Sequence, residues 1–165
     1  VSAEEMKTDG IDLIGFSDGA TVSDLHRDRF GDVPLGCGVY VLVRGVTTQP
    51  KFRRSSEAGW FKNLDPSYPA ANVRDAWVPN ARIVYVGKAA GARGLRQRVR
   101  QLVDFGFGKP IGHRGGRMLW HLPDYEKLLL RWRKCSRSQA DSLETRLIGQ
   151  FKELHGKRPF ANRAK

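Results

Sequence analysis

A run of β-branched and aromatic residues that ends in a glycine-rich turn and passes directly into a basic amphipathic segment sets the narrowest limits on this chain. Residues 82–103 read RIVYVGKAAGARGLRQRVRQLV. Ile83-Val84-Tyr85-Val86 has the composition of a strand, the stretch holding Gly87, Gly91 and Gly94 that of a turn, and the remainder has helical apolar spacing. The helix, predicted over about 94–104, places Leu95, Val99, Leu102 and Val103 on one stripe and leaves Arg93, Arg96, Arg98 and Arg100 around its borders and outer face. A tyrosine, a lysine and several arginines therefore meet at a helix N-terminus, whose unpaired N–H groups and dipole already favour anions. A phosphate-binding surface is the expectation.

The rest of the chain supplies partners for this unit. Residues 36–44 (GCGVYVLVR) are apolar almost without interruption, which predicts a central strand. Leu128 to Arg133 alternates, with Arg131 and Arg133 on one face and Leu130 and Trp132 on the other, and reads as a third strand. Ser136 or Ser138 is placed to cap a long helix that runs to about His155 and ends at Gly156. In the first 36 residues Thr21 to Arg29 forms a short helix capped near Asp18 or Thr21, while the apolar spacing from Ile11 to Phe16 assigns no element. Residues 105–116 are a glycine-rich loop whose tail, Gly112-His113-Arg114-Gly115-Gly116-Arg117, has the makings of an anion-binding nest before a short helix through His121.

Between the first two strands lies a long excursion, residues 45–81. Its five aromatics, Phe52, Trp60, Phe61, Tyr68 and Trp77, argue against a floppy linker. Interleaved with Lys51, Arg53, Arg54, Lys62 and Arg74, they either form a satellite core or stack on bases.

The 165 residues suit one domain, and 29 Lys plus Arg against 17 Asp plus Glu give a formal net charge of +12. That balance points to nucleic acid ahead of an anionic membrane surface. No run is long enough to span a membrane and the opening residues lack a secretory pattern, so a cytoplasmic location is expected. Cys37 and Cys135 are too few and too scattered for a disulfide framework or a zinc site and are expected to be reduced core thiols.

One carboxylate is out of place. On the last helix Ala140, Leu143, Leu147, Ile148, Phe151 and Leu154 define an apolar stripe, and Glu144 falls inside it. A glutamate there needs a partner, either one of the many arginines or a cation. With no second or third carboxylate counted nearby, a single metal ion is the simpler form of the cation reading.

Gly38-Val39-Tyr40 on one strand, Tyr85-Val86-Gly87-Lys88 on the next, Arg98 on the following helix, Glu144 on a later helix and Asn162 beyond it resemble, in that order, the GIY-YIG nuclease superfamily over about residues 36–163. The resemblance implies an α+β fold, a small three-stranded antiparallel sheet flanked by helices. On this reading 1–36 is an N-terminal extension, 37–163 the nuclease core and 45–81 an insertion. It implies one divalent ion, Mg²⁺ or Mn²⁺, held by Glu144. Tyr40 is then the general base, Tyr85 its neighbour, Lys88 the charge that lowers the phenol pKa, and Arg98 the clamp on the scissile phosphate. Asn162 matches the asparagine that family members often carry near the domain end. Leu102 stands where many members carry a tyrosine or histidine, which makes His113 the candidate substitute.

The expectation is therefore a metal-dependent endonuclease acting on DNA, with a catalytically inactive DNA-binding module of the same fold as the alternative. Arg53, Arg54, Trp60 and Lys62 in the insertion, and Arg93, Arg96, Arg100, Arg114 and Arg117 around the strand-to-helix unit, are the candidate DNA contacts. A homodimer would suit double-strand cleavage.

Overall fold

Gly38-Val39-Tyr40-Val41-Leu42-Val43 can bury both its faces only in the middle of a sheet, and every one of these residues is buried there. The structure, a computed structural model, describes residues 7–113 and 115–163. In chain order the elements are β1 (Lys7–Thr8), β2 (Ile11–Asp12), β3 (Ala20–Thr21), α1 (Val22–Asp24), β4 (Gly38–Val43), α2 (Ala70–Ala76), β5 (Ile83–Ala89), α3 (Gly94–Gly106), β6 (Leu129–Lys134) and α4 (Arg137–His155). A π-helical turn prolongs α1 through Leu25–Arg29, and 3₁₀ turns cover Phe30–Asp32, Arg117–His121 and Tyr125–Lys127.

The fold is α+β. Its main sheet has four antiparallel strands in the order β3-β6-β4-β5, not the three expected. The fourth comes from the N-terminal extension, where Ala20 and Thr21 pair with Leu130 and Leu129. A strand of two residues is too short to show any alternation, so the sequence concealed it. Thr21 then caps α1, its Oγ1 accepting from Asp24 N at 3.1 Å. The extension also folds β1 and β2 into a hairpin around Asp9-Gly10, both with left-handed φ. The Asp9 carboxylate accepts from the backbone N–H groups of Arg82 and Ile83 and so fixes where β5 begins.

Alternation along β4 divides the core. Tyr40 and Leu42 face the layer containing Leu95, Val99 and Leu102 of α3. Val39, Val41 and Val43 face Ala140, Leu143, Leu147 and Phe151 of α4. Each large apolar side chain buried in this way contributes about 2 kcal/mol. α4 has the expected bounds: Ser136 and Gln139 form a capping box, and Gly156 ends the helix in the left-handed region at φ 79°. Leu154 departs from the stripe and is exposed. The two cysteines are free and half-buried at neighbouring strand ends, Cys135 N donating to Cys37 O at 3.0 Å.

The aromatics of the excursion divide between the two readings. Phe52 and Trp77 pack with Phe160 at ring separations of 5.4–5.7 Å and extend the core, whereas Trp60 and Phe61 stay exposed. The fully buried His121 fastens the excursion to the body of the protein. Its Nδ1 meets the Arg53 carbonyl at 2.7 Å and its Nε2 accepts from Tyr68 N at 3.0 Å, which defines the neutral Nδ1–H tautomer. Arg44 does the same at the near end, bonding Asp124 at 3.0 Å and the Thr48 carbonyl at 2.7 Å. Among the described residues no helix is long and apolar enough to cross a membrane.

Candidate active site

The β4–β5 register places Tyr40 opposite Gly87 and Leu42 opposite Tyr85. Both tyrosines therefore point to the α3 face, as a diagonal pair with ring centroids 6.0 Å apart. Gly87 is a strand residue and not the turn residue its type suggested. Its missing side chain has a purpose: a Cβ there would lie 2.6 Å from the Tyr40 hydroxyl and closer still to the ring. The tyrosine ring lies across the bare backbone of the paired strand.

Arg98, on the border of the α3 stripe, brings its charge to both phenols. The loop after α3 closes over the group. A side chain at Gly115 would collide with the Tyr85 hydroxyl and stand 3.8 Å from Arg98 Nη2, so only glycine lets the backbone pass this close. Leu102 is buried under Gly116, while His113, 2% exposed, sits near enough to Arg98 to feel its charge. Arg114, between these glycines, lies outside the described residues.

Burial dominates the acid–base character of the site. Tyr40 is wholly buried, and desolvation, reinforced by Tyr85 and offset only in part by Arg98, holds its pKa well above the usual phenol value. Its hydroxyl has no aligned hydrogen-bond partner among the described residues. Tyr85 is also raised by burial, lowered by Arg98 and raised further by the negative charge of Glu144. Burial and the Arg98 charge push His113 down to about 3, so its imidazole is neutral at pH 7. These directions differ from the lowered phenol that the resemblance implied.

Lys88 is not beside the phenols. It lies opposite Val39, on the α4 face, where it pairs with Asp141 and stands 3.9 Å from Glu144 Oε1. The pair with Asp141 holds the ammonium pKa above its ordinary value. Strand alternation explains the difference, since Tyr85 and Gly87 share one face while Val86 and Lys88 share the other. Glu144 is at the rim of α4 with 20% of its side chain exposed, so its desolvation is partial and not that of a core carboxylate. Asp141, one turn earlier on the same helix, was missed; its i−3 spacing from Glu144 is the signal that would have found it. An open groove of about 700 Å³ adjoins this cluster, lined by Lys88, Ala90, Ser136, Arg137, Ser138 and Asp141.

The two carboxylates offer hard oxygen donors of the kind Mg²⁺ and Mn²⁺ take, and such ions need only one or two of them when water and phosphate oxygens complete the shell. Among the described residues no three His, Cys, Asp or Glu side chains converge as a metal cage. The donor chemistry fits a divalent ion shared with a phosphate.

Asn162 has a different task from a reacting group. Its Oδ1 accepts from Val86 N at 2.9 Å and its Nδ2 donates to Val86 O at 2.8 Å, while Ala161 N donates to Val84 O. The outer edge of β5 is thereby closed on either side of Tyr85, which makes Asn162 a positioning residue.

The candidate DNA contacts are dispersed. Arg96 spends its guanidinium on the carbonyls of Val33 and Gly31, and Arg53 pairs with Glu57. Arg54, Trp60, Lys62, Arg93 and Arg100 are exposed, Arg100 lying over Phe30. Arg117 lies over Tyr68 and donates to the Asp65 carbonyl at 3.2 Å. Comparison of the chain with protein-family models, with curated proteins and with solved structures finds no match.

Proposed function

We propose that this chain is a divalent-metal-dependent endonuclease of the GIY-YIG type that hydrolyses DNA phosphodiester bonds. The observation that carries the reading is the convergence of Tyr40, Tyr85 and Arg98 from three separate elements under a glycine loop, with the Glu144 charge close enough to act on Tyr85. Arg98 binds the scissile phosphate and neutralises charge that grows on it in the transition state. Tyr85, the more accessible phenol, hydrogen-bonds the attacking water; as the new O–P bond forms the water's proton passes to a non-bridging phosphate oxygen, and the leaving oxygen, as its P–O bond breaks, takes a proton from solvent. Tyr40, the base assigned by resemblance, stands behind Tyr85 as a buried phenol that stays protonated at neutral pH. His113, uncharged, orients Arg98 or the water and supplies no imidazolium proton. Glu144, with Asp141, would hold Mg²⁺ or Mn²⁺, whose charge polarises the phosphate and stabilises the leaving oxygen. Lys88, paired with Asp141 and 3.9 Å from Glu144 Oε1, offsets the charge of the two carboxylates.

A second reading, a DNA-binding module without turnover, is favoured by one observation: Tyr40 is wholly buried with its phenol raised. Supercoiled plasmid incubated with the protein in Mg²⁺, Mn²⁺ or EDTA separates the two. Nicking or linearisation that needs the metal and falls at least a hundredfold in Glu144→Gln and Arg98→Ala supports the enzyme. Metal-independent cleavage, or none with binding intact, refutes it. If Tyr40→Phe keeps activity that Tyr85→Phe loses, Tyr85 is the phenol that meets water.

A further inference from the structure

The excursion between β4 and β5 ends in an exposed apolar corner that the core does not use. Leu64 N donates to Phe61 O at 3.1 Å around a two-residue turn, and Lys62 and Asn63 both sit in the left-handed region, at φ 52° and 60°. Such turns normally carry glycine. A lysine held there is strained, and strain of this kind concentrates at functional positions. The corner presents Trp60, Phe61 and Leu64 at 56%, 38% and 59% exposure, while other aromatics of the same excursion are packed inside.

The corner is fixed in place beside the catalytic group. Gly59 N donates to Phe105 O at 2.9 Å, and Gly59 lies so tightly on the Lys109 carbonyl that no side chain would fit. The Phe61 ring rests on Gly112, where a Cβ would come within 2.9 Å. On the far side Arg117 holds the Asp65 carbonyl. Gly112 and Arg117 bound the loop that carries His113 beside Arg98 and Gly115 over the Tyr85 hydroxyl. Cations stand at and near the apolar tip: Lys62 lies 5.4 Å from the Phe61 ring centre, and Arg117, which holds the Asp65 carbonyl next to Leu64, lies with Arg163 over Tyr68. Flat apolar faces within an anionic frame are what an unstacked base between phosphates offers, and a protein partner offers the two together far less often.

We infer that Trp60, exposed beside Phe61 and Leu64 at this corner, stacks on an unpaired base next to the scissile phosphate, so that the preferred substrate is DNA carrying an unpaired or unstacked nucleotide. The inference rests on the nuclease reading but is tested without cleavage. Binding is measured in EDTA to a labelled perfect duplex and to the same duplex with one unpaired 2-aminopurine. The expected result is about tenfold tighter binding of the bulged duplex and quenching of the 2-aminopurine emission, both lost in Trp60→Ala and weakened in Phe61→Ala. Unchanged circular-dichroism melts show that the variants are folded. No binding to either DNA, equal affinities, or a preference and quench that survive Trp60→Ala overturns the inference and leaves the corner to a protein partner. A preserved bulge preference without metal-dependent nicking refutes the nuclease reading alone.

Discussion

His113 should make the protein sensitive to mild acid through a single proton. Its ring is 2% exposed, neither ring nitrogen has an aligned hydrogen-bond partner among the described residues, and Arg98 repels the imidazolium; the nearby Gly115 backbone only partly offsets this. The folded-state pKa is pushed down to about 3 from 6.5. Between those values the unfolded chain binds a proton that the folded chain refuses. Stability present above pH 6.5 is therefore lost as pH falls, by about 1.4 kcal/mol per unit. At pH 5 the loss from this one group is about 2 kcal/mol. Urea unfolding of the parent and of His113→Phe at pH 7, 6 and 5 isolates it, because the carboxylates titrate alike in both. The parent should lose about 2 kcal/mol more than the variant between pH 7 and 5. An imidazole resonance titrating near its ordinary value in the folded protein, with parallel pH dependence in parent and variant, would refute the reasoning.

Two more substitutions probe the frame of the site. Gly87→Ala forces a methyl into the Tyr40 ring, which the surrounding core prevents from yielding, so a loss of about 1–3 kcal/mol and a lowered melting temperature are expected; stability equal to the parent would mean that the ring does not cross the β5 backbone. Asn162→Ala removes both hydrogen bonds to Val86 and should cost about 1–3 kcal/mol. Asn162→Asp keeps only the acceptor and should remain well below the parent in urea; full stability in the aspartate variant would show that the Nδ2 contact contributes nothing.

What the sequence disclosed follows from the range of each signal. The caps of α4 lie within a few residues of its ends, so Gly156 and a serine cap at Ser136 or Ser138 could be read locally; the structure selects Ser136, boxed with Gln139. The same holds for the continuous apolar run of β4. Contacts between distant segments were hidden: nothing local in Ala20-Thr21 announces a partner at Leu129-Leu130, and Leu154 has the spacing of a stripe residue yet stays exposed. Asp9-Gly10 is a hairpin signal that was present and went unread. In the site, Arg96 and Arg98 border one stripe and periodicity could not choose between them. The family resemblance chose Arg98, and the structure puts Arg98 with the tyrosines and Arg96 on the Val33 carbonyl. Lys88 follows Tyr85-Val86-Gly87 in sequence but leaves the phenols in space, because the pleat turns alternate residues to opposite faces.

The excursion departs from the sheet and rejoins it at one hydrogen-bonded step, Arg44 N to Arg82 O at 2.8 Å, with Arg82 Nε returned to the Arg44 carbonyl at 3.0 Å. A chain that leaves and returns through the same doorway imposes no length on what lies between. The pairing of β4 with β5 would accept a short turn or a longer detour with equal ease, because loop closure grows more costly only slowly with length. Residues 45–81 are in this sense interchangeable cargo on a fixed frame. This segment can be rewritten while Tyr40, Gly87 and Tyr85 keep their register, provided that any replacement covers Phe160 as Phe52 and Trp77 do and finds new partners for the two buried nitrogens of His121.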